Sequence, residues 1–156
     1  MSIIKENFFR ALNRSLGHKA EQDEASRRLK EEFKTATSSL LKRIQNVFAG
    51  SRANAVIDSY AFNVGEESFD TCNLQITCDN RSITIEPQNF TDESSALVTG
   101  VLKVTVSNPD SKILYDFLLH WKDKNDPSSE WMILANAERT CFTIDEFIKN
   151  VYPFSE

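Results

Sequence analysis

ALVTGVLKVTV (residues 96–106), KILYDFLLHW (112–121) and EWMILA (130–135) follow one another with only short polar dividers between them. Each segment is rich in Val, Ile, Leu, Phe, Tyr and Trp, the side chains that suit a pleated, half-buried surface. Asn108-Pro109-Asp110-Ser111 divides the first from the second, and residues 123–129 divide the second from the third. Both dividers carry turn chemistry: Pro fixes φ, while Asn, Asp and Ser bond back to nearby backbone. Connections this short require antiparallel neighbours, because a parallel crossover needs a dozen or more residues. Alternation puts Val98, Gly100, Leu102, Val104 and Val106 on one face of the first strand. Ile113, Tyr115, Phe117, Leu119 and Trp121 share a face of the second. One side of this meander therefore needs a cover.

The remaining chain supplies it. Residues 3–16 predict a first helix, with Ile4, Phe8, Phe9, Leu12 and Leu16 in one stripe and Arg10 and Arg14 pointing away. Lys5 falls inside the stripe and must snorkel past its edge. Gly17-His18 is read as a break. A second helix is predicted over 21–49, where Leu29, Phe33, Ala36, Leu40, Ile44 and Val47 recur at spacings of three and four before a left-handed cap at Gly50. Its seam is too short for a good coiled coil, so it is expected to lie across the sheet. Strands are predicted over 54–64, 70–78 and 82–86, the last ending at Pro87, with a turn at residues 65–68. Asp58, Tyr60, Phe62 and Val64 are expected on one side of the first of these. The polar loop 87–95 contains an isolated Phe90, which is expected to be buried. Thr143-Ile144-Asp145-Glu146 is a capping box that opens a short C-terminal helix, ended by Pro153. The fold class is therefore α+β: two N-terminal helices, a curved antiparallel sheet of about six strands, and a short C-terminal helix. Residues 1–19 read as an amphipathic helix or arm, and 20–156 as a single α+β domain.

The composition is that of an ordinary globular chain: 156 residues, 40% apolar and 26% charged. No apolar run approaches the roughly 20 residues that span a bilayer, and a secretory signal is not expected. The net charge of −5 conceals an asymmetry. Residues 1–52 hold 11 Lys/Arg against 6 Asp/Glu, whereas residues 53–156 hold 7 against 17. A basic front can attract an acidic partner or an anionic surface. Because acids are interleaved through 21–32, nucleic acid is not the expected partner.

Chemistry is sparse. The four glycines, at 17, 50, 65 and 100, are isolated and build no phosphate cradle. Cys72 and Cys78 lie on one strand about 20 Å apart, too far for a disulfide or a shared metal. With Cys141 they read as free thiols of a reducing, cytoplasmic compartment. Asp116 and His120 share a strand face about 13 Å apart, too far for a dyad. His120 is expected to face solvent near a strand end. The acidic pairs Glu66-Glu67 and Asp92-Glu93 fall in turns and lack the ligand series of a calcium loop. No catalytic residue, metal site or cofactor is predicted.

Residues 117–136 (FLLHWKDKNDPSSEWMILAN) resemble the closing hairpin of nuclear-transport-factor-2-like domains. Those domains also begin with helices and curl a sheet into a cone, which can be an enzyme pocket, a ligand site or an interaction scaffold. The likeness covers about twenty residues and leaves the C-terminal helix outside it, so it assigns no family. Two functions follow. The first is a non-enzymatic interaction or adaptor module docking through Ile4, Phe8, Phe9, Leu12 and Leu16, with Arg10 and Arg14 steering an acidic surface. Its partner is another protein or a second copy of the chain, with peripheral membrane contact as a further option. The alternative is a cone-shaped small-molecule-binding or enzymatic domain with a pocket lined by Tyr60, Phe62, Tyr115, Phe117, His120 and Trp131.

Overall fold

Every neighbour in the sheet is also a neighbour in sequence. The computed structural model describes residues 3–64 and 67–156. It contains a helix α1 (Ile3–Val47), strands β1 (Asn54–Val64), β2 (Glu67–Cys78), β3 (Arg81–Phe90), β4 (Val98–Asn108), β5 (Ile113–Asp123), β6 (Trp131–Ala135) and β7 (Glu138–Cys141), and a C-terminal helix α2 (Ile144–Val151). The strands form one antiparallel open sheet in the order β1 to β7. This is the α+β class that the alternation and the short dividers predict. No helix is long and apolar enough to cross a membrane among the described residues.

Three details differ from expectation. The two N-terminal helices are one, because α1 passes through Gly17 and His18 without interruption. A lone glycine costs a helix about 1 kcal/mol relative to alanine, which weakens it without ending it when no proline follows. Gln22 Nε2 lies 3.1 Å from His18 Nε2, and Arg27 bonds Glu24 one turn away, so side chains tie the segment along its own surface. Gly50, at φ 81°, does take the left-handed conformation expected beyond the end of the helix. Next, β3 continues past Pro87 to Phe90, with a register shift between Pro87 and Asn89. That bulge accommodates the missing N–H and rephases the strand, so that Pro87 and Phe90, three residues apart, are both buried. Finally, β7 is a seventh strand. The expected turn at residues 65–68 lies partly outside the described residues.

The hairpin joining β6 to β7 turns through Asn136 (φ 55°) and Ala137 (φ 63°), both in the left-handed region. Two-residue hairpin turns of this kind favour glycine at the second position, where Cβ is strained. Ala137→Gly is therefore expected to raise stability by about 1 kcal/mol, read as a higher urea midpoint at unchanged m value.

Contacts divide the chain after Glu32, into residues up to Glu32 and the unit Phe33–Glu156. In the second unit, Phe33, Ala36, Thr37, Leu40, Leu41 and Ile44 form the buried face of α1. Phe33 sits among aromatic rings, with centroids 5.3 Å from Phe90, 5.4 Å from Trp121 and 6.5 Å from Phe69. Leu74, Ile76, Ile83, Ile85, Leu102, Val104, Val106, Leu119 and Ile133 complete the inner face of the sheet, all fully buried. Each such side chain contributes about 1.5–3 kcal/mol over leaving it in water. In β1 the expected side holds for Phe62, which is buried, and for Tyr60 and Val64, which are half-buried. Asp58 is exposed.

The C-terminal helix closes the far end. Thr143 accepts from the Glu146 N–H at 3.0 Å, the first half of the expected capping box. Phe147 packs on Phe117 and Phe142, at 6.2 and 5.9 Å between centroids. The tail beyond it is held by side chains of the sheet: Asn108 Nδ2 donates to the Pro153 carbonyl at 2.9 Å and Arg81 to the Phe154 carbonyl at 3.0 Å.

Candidate functional site

Among the described residues up to Glu32, one face of the helix carries exposed apolar side chains. Ile4 is 81% exposed, Phe8 62%, Leu16 58%, Phe9 48% and Leu12 41%. Ile3, which the periodicity leaves outside the stripe, is 73% exposed. These residues form a helix because residues 3–32 lack Pro and carry β-branched side chains only at Ile3 and Ile4, and Glu6 in the first turn complements the helix dipole. The Phe8 and Phe9 rings meet edge to face at 5.5 Å, so they widen the stripe into a two-ring pad. Lys5 resolves its misplacement by reaching over the Phe9 ring, 6.0 Å from its centroid. Arg10 and Arg14 are exposed. All seven residues expected to bind a partner are thus accessible on one helix.

The six residues expected to line a pocket are dispersed. Tyr115 and Phe117 stack at 6.5 Å and line a cleft of about 280 Å³ beside α2, together with Ala135, Asn136, Lys149 and Asn150. The Tyr115 hydroxyl donates to the Asn150 carbonyl, and burial, then the charge of Glu156, pushes its pKa up. Phe62 packs on Phe69 at 5.4 Å in the core, near the β1 end of the sheet. Trp131 packs on Trp121 at 6.4 Å and is buried. Tyr60 is half-buried on β1.

His120 occupies a different setting. It does not face solvent: its side chain is 13% exposed, and Nδ1 lies 3.3 Å from Asp123 Oδ2. Asp123 is wholly buried, and its carboxylate accepts from the Asn125 backbone N–H at 3.0 Å, the Asn125 side chain at 3.1 Å and the Arg139 guanidinium. Arg139 also reaches Asp126, at 3.5 Å. Burial pushes the Asp123 carboxyl up. The bonds from Asn125 and His120 and the Arg139 charge outweigh burial and hold the carboxyl below the usual carboxylate range. An ionised carboxylate only accepts, so His120 Nδ1 carries the proton. Sequence spacing alone hides this cluster, because residues three apart in a regular strand face opposite ways. Lys122, at φ 51°, breaks that regularity and brings Asp123 round to His120.

Asp116, the partner weighed for His120 in the sequence, pairs with Lys103 at 3.7 Å. The nearest thiol in register is Cys141, which faces Met132 while Met132 faces His120. Two strand spacings, about 9.6 Å, separate such positions, too far for a nucleophile and its base. Ser129 instead donates to the Cys141 sulfur at 3.0 Å. Burial pushes the Cys72 thiol up, away from thiolate chemistry. The described residues contain no group of three or more His, Cys, Asp or Glu able to hold a metal. The Asp123 cluster fastens the loop after β5 to β7. No family model, curated protein or solved structure matches the chain.

Proposed function

We propose that the chain is a non-enzymatic adaptor that docks on another protein through its N-terminal helix and works in the cytoplasm. The observation that carries this reading is the continuous exposure of Ile4, Phe8, Phe9, Leu12 and Leu16 along one helix. An amphipathic helix binds by laying such a stripe into an apolar groove, read as anchors at three- and four-residue spacing. Arg10 and Arg14 suit a groove with acidic residues at its rim. Glu6 and the acids at 21, 23, 24, 31 and 32 interrupt the basic character of the helix. That pattern favours localised acidic groups on a protein over a uniformly anionic lipid sheet. The three free cysteines fit a reducing compartment.

The test uses the full chain and its Phe8→Asp/Leu12→Asp variant. A protein captured by the wild type, once purified, is expected to bind the variant about 100-fold or more weakly, since buried anchors of this kind carry about 2 kcal/mol or more each. The melting temperature of the variant stays at the wild-type value. Unfolding of the variant would make the stripe part of the core and end the proposal. Sedimentation of the wild type, but not the variant, with phosphatidylserine vesicles would move the partner from protein to membrane.

A second reading, small-molecule binding or catalysis, is favoured by the cleft beside α2, where Tyr115 and Phe117 meet the polar groups of Asn136, Lys149 and Asn150. A ligand there is expected to raise the melting temperature of the wild type, with the gain reduced in Lys149→Met.

A further inference from the structure

We propose that the free edge of β1 is a pairing site for the β1 strand of a second copy of this chain, joined antiparallel about a two-fold axis at Ser59. The sheet has two edges, and they differ in kind. The β7 edge is four residues long and carries Glu138 and Arg139, both exposed. Short length and charge are the devices by which proteins blunt an edge against other chains. The β1 edge has neither. It runs for eleven residues, pairs with β2 in unbroken register from Asn54 to Val64, and is flanked on its other side by no strand among the described residues. It contains no Pro, Gly, Lys or bulge, and Asp58 is its single charge. Backbone N–H and C=O groups on such an edge are a template for one more strand. Gln45 Nε2 donates to the Ala55 carbonyl at 2.9 Å, near the start of the strand, about 13 Å along it from Ser59.

The side chains point to a second copy as the occupant. An axis at Ser59 overlaps all eleven residues, and any shift of the axis shortens the pairing. It sets Val56 against Phe62 and Ile57 against Ala61, apolar on apolar, and Asp58 against Tyr60. Aromatic and β-branched cross-strand pairs of this kind stabilise antiparallel ladders. An axis at Asp58 would instead place two carboxylates directly opposite each other. The interface is isologous, so it closes as a dimer and leaves the blunted β7 edges outermost.

Sedimentation equilibrium of the full chain tests this with five proteins. The wild type is expected to dimerise reversibly. Ser59→Lys and Ser59→Glu each set like charges opposite one another at the axis and raise Kd about fivefold, and an equimolar mixture of the two restores the dimer. Using both signs removes the influence of Lys42, whose charge acts on Cys72, the residue paired with Ser59. Tyr60→Lys places an ammonium opposite Asp58 of the second copy on both sides of the axis and tightens the dimer, a gain that misfolding cannot imitate. A wild type that stays monomeric up to about 0.5 mM would overturn the proposal, as would a dimer indifferent to these charges. Single variants that weaken without restoration on mixing would also overturn it. A dimer dissolved by Phe8→Asp/Leu12→Asp would place the contact on the helix.

Discussion

Gly100→Ala is expected to destabilise the Phe33–Glu156 unit by about 2–3 kcal/mol, the range for forcing an extra methyl into a filled core. A β-carbon at Gly100 would lie 2.3 Å from one ring carbon of Phe33 and 2.7 Å from the next. No real contact is that short, so either the ring or the strand must move. The ring has nowhere to go: Phe33 is fully buried and wedged among Phe69, Phe90 and Trp121. The strand is fixed on both sides, since Gly100 pairs with Phe90 of β3 and Trp121 of β5. Gly100 is thus a position at which α1 approaches the sheet closely, and the absence of a side chain makes that approach possible. At this chain length the expected fall in melting temperature is about 4–12 °C. A double-mutant cycle separates the clash from any change in strand propensity. Phe33→Leu alone opens a cavity, but it should rescue part of the Gly100→Ala loss, giving a coupling of about 1 kcal/mol or more. Additive losses would mean that the methyl does not meet the ring.

The meander and its cover were legible in the sequence because they rest on periodicity. Alternation over 98–106 and 113–121 marks the inner face residue by residue, and the spacing from Phe33 to Ile44 marks the helix face that covers it. What stayed hidden depends on backbone conformations that residue type does not announce. Among the described residues, five other than glycine take positive φ: Asp79, Lys112, Lys122, Asn136 and Ala137. A lysine or alanine in the left-handed region carries no sequence signal, so the β6–β7 turn and the polar strand Glu138–Cys141 escaped notice. Pro87 signals the end of a strand, yet a bulge lets β3 continue and buries Phe90. The stripe of Ile4, Phe8, Phe9, Leu12 and Leu16 was legible as a stripe, but periodicity cannot tell a core face from a contact face. Exposure is set by the fold, and all five of those side chains are exposed.

Asp123→Ala is expected to cost about 3 kcal/mol at neutral pH, within the range for removing one partner of a buried ion pair. The cost arises from what the carboxylate leaves behind. The Asn125 backbone N–H, the Asn125 side chain and the His120 ring lose their acceptor, and Arg139 keeps only Asp126. His120 is shielded from water and its orphaned donor is expensive, whereas Arg139 is about one-third exposed and recovers part of its hydration. The effect has a pH signature with a definite sign. Because the folded-state carboxyl lies below the ordinary range, wild-type stability from this group is complete above the unfolded pKa of about 3.9. It is lost as pH falls through the lower folded value, where the carboxylate must take up a proton. The stability gap between wild type and Asp123→Ala should therefore stay constant from pH 7 to about pH 5 and narrow in more acidic solution. Asp123→Asn keeps the shape and one acceptor oxygen but loses the charge, so it should fall between the two at pH 7. Urea titrations of the three proteins at closely spaced pH values read the gap directly. A gap that widened toward acid would mean that the cluster favours the protonated acid, contradicting the hydrogen-bond arrangement around Asp123.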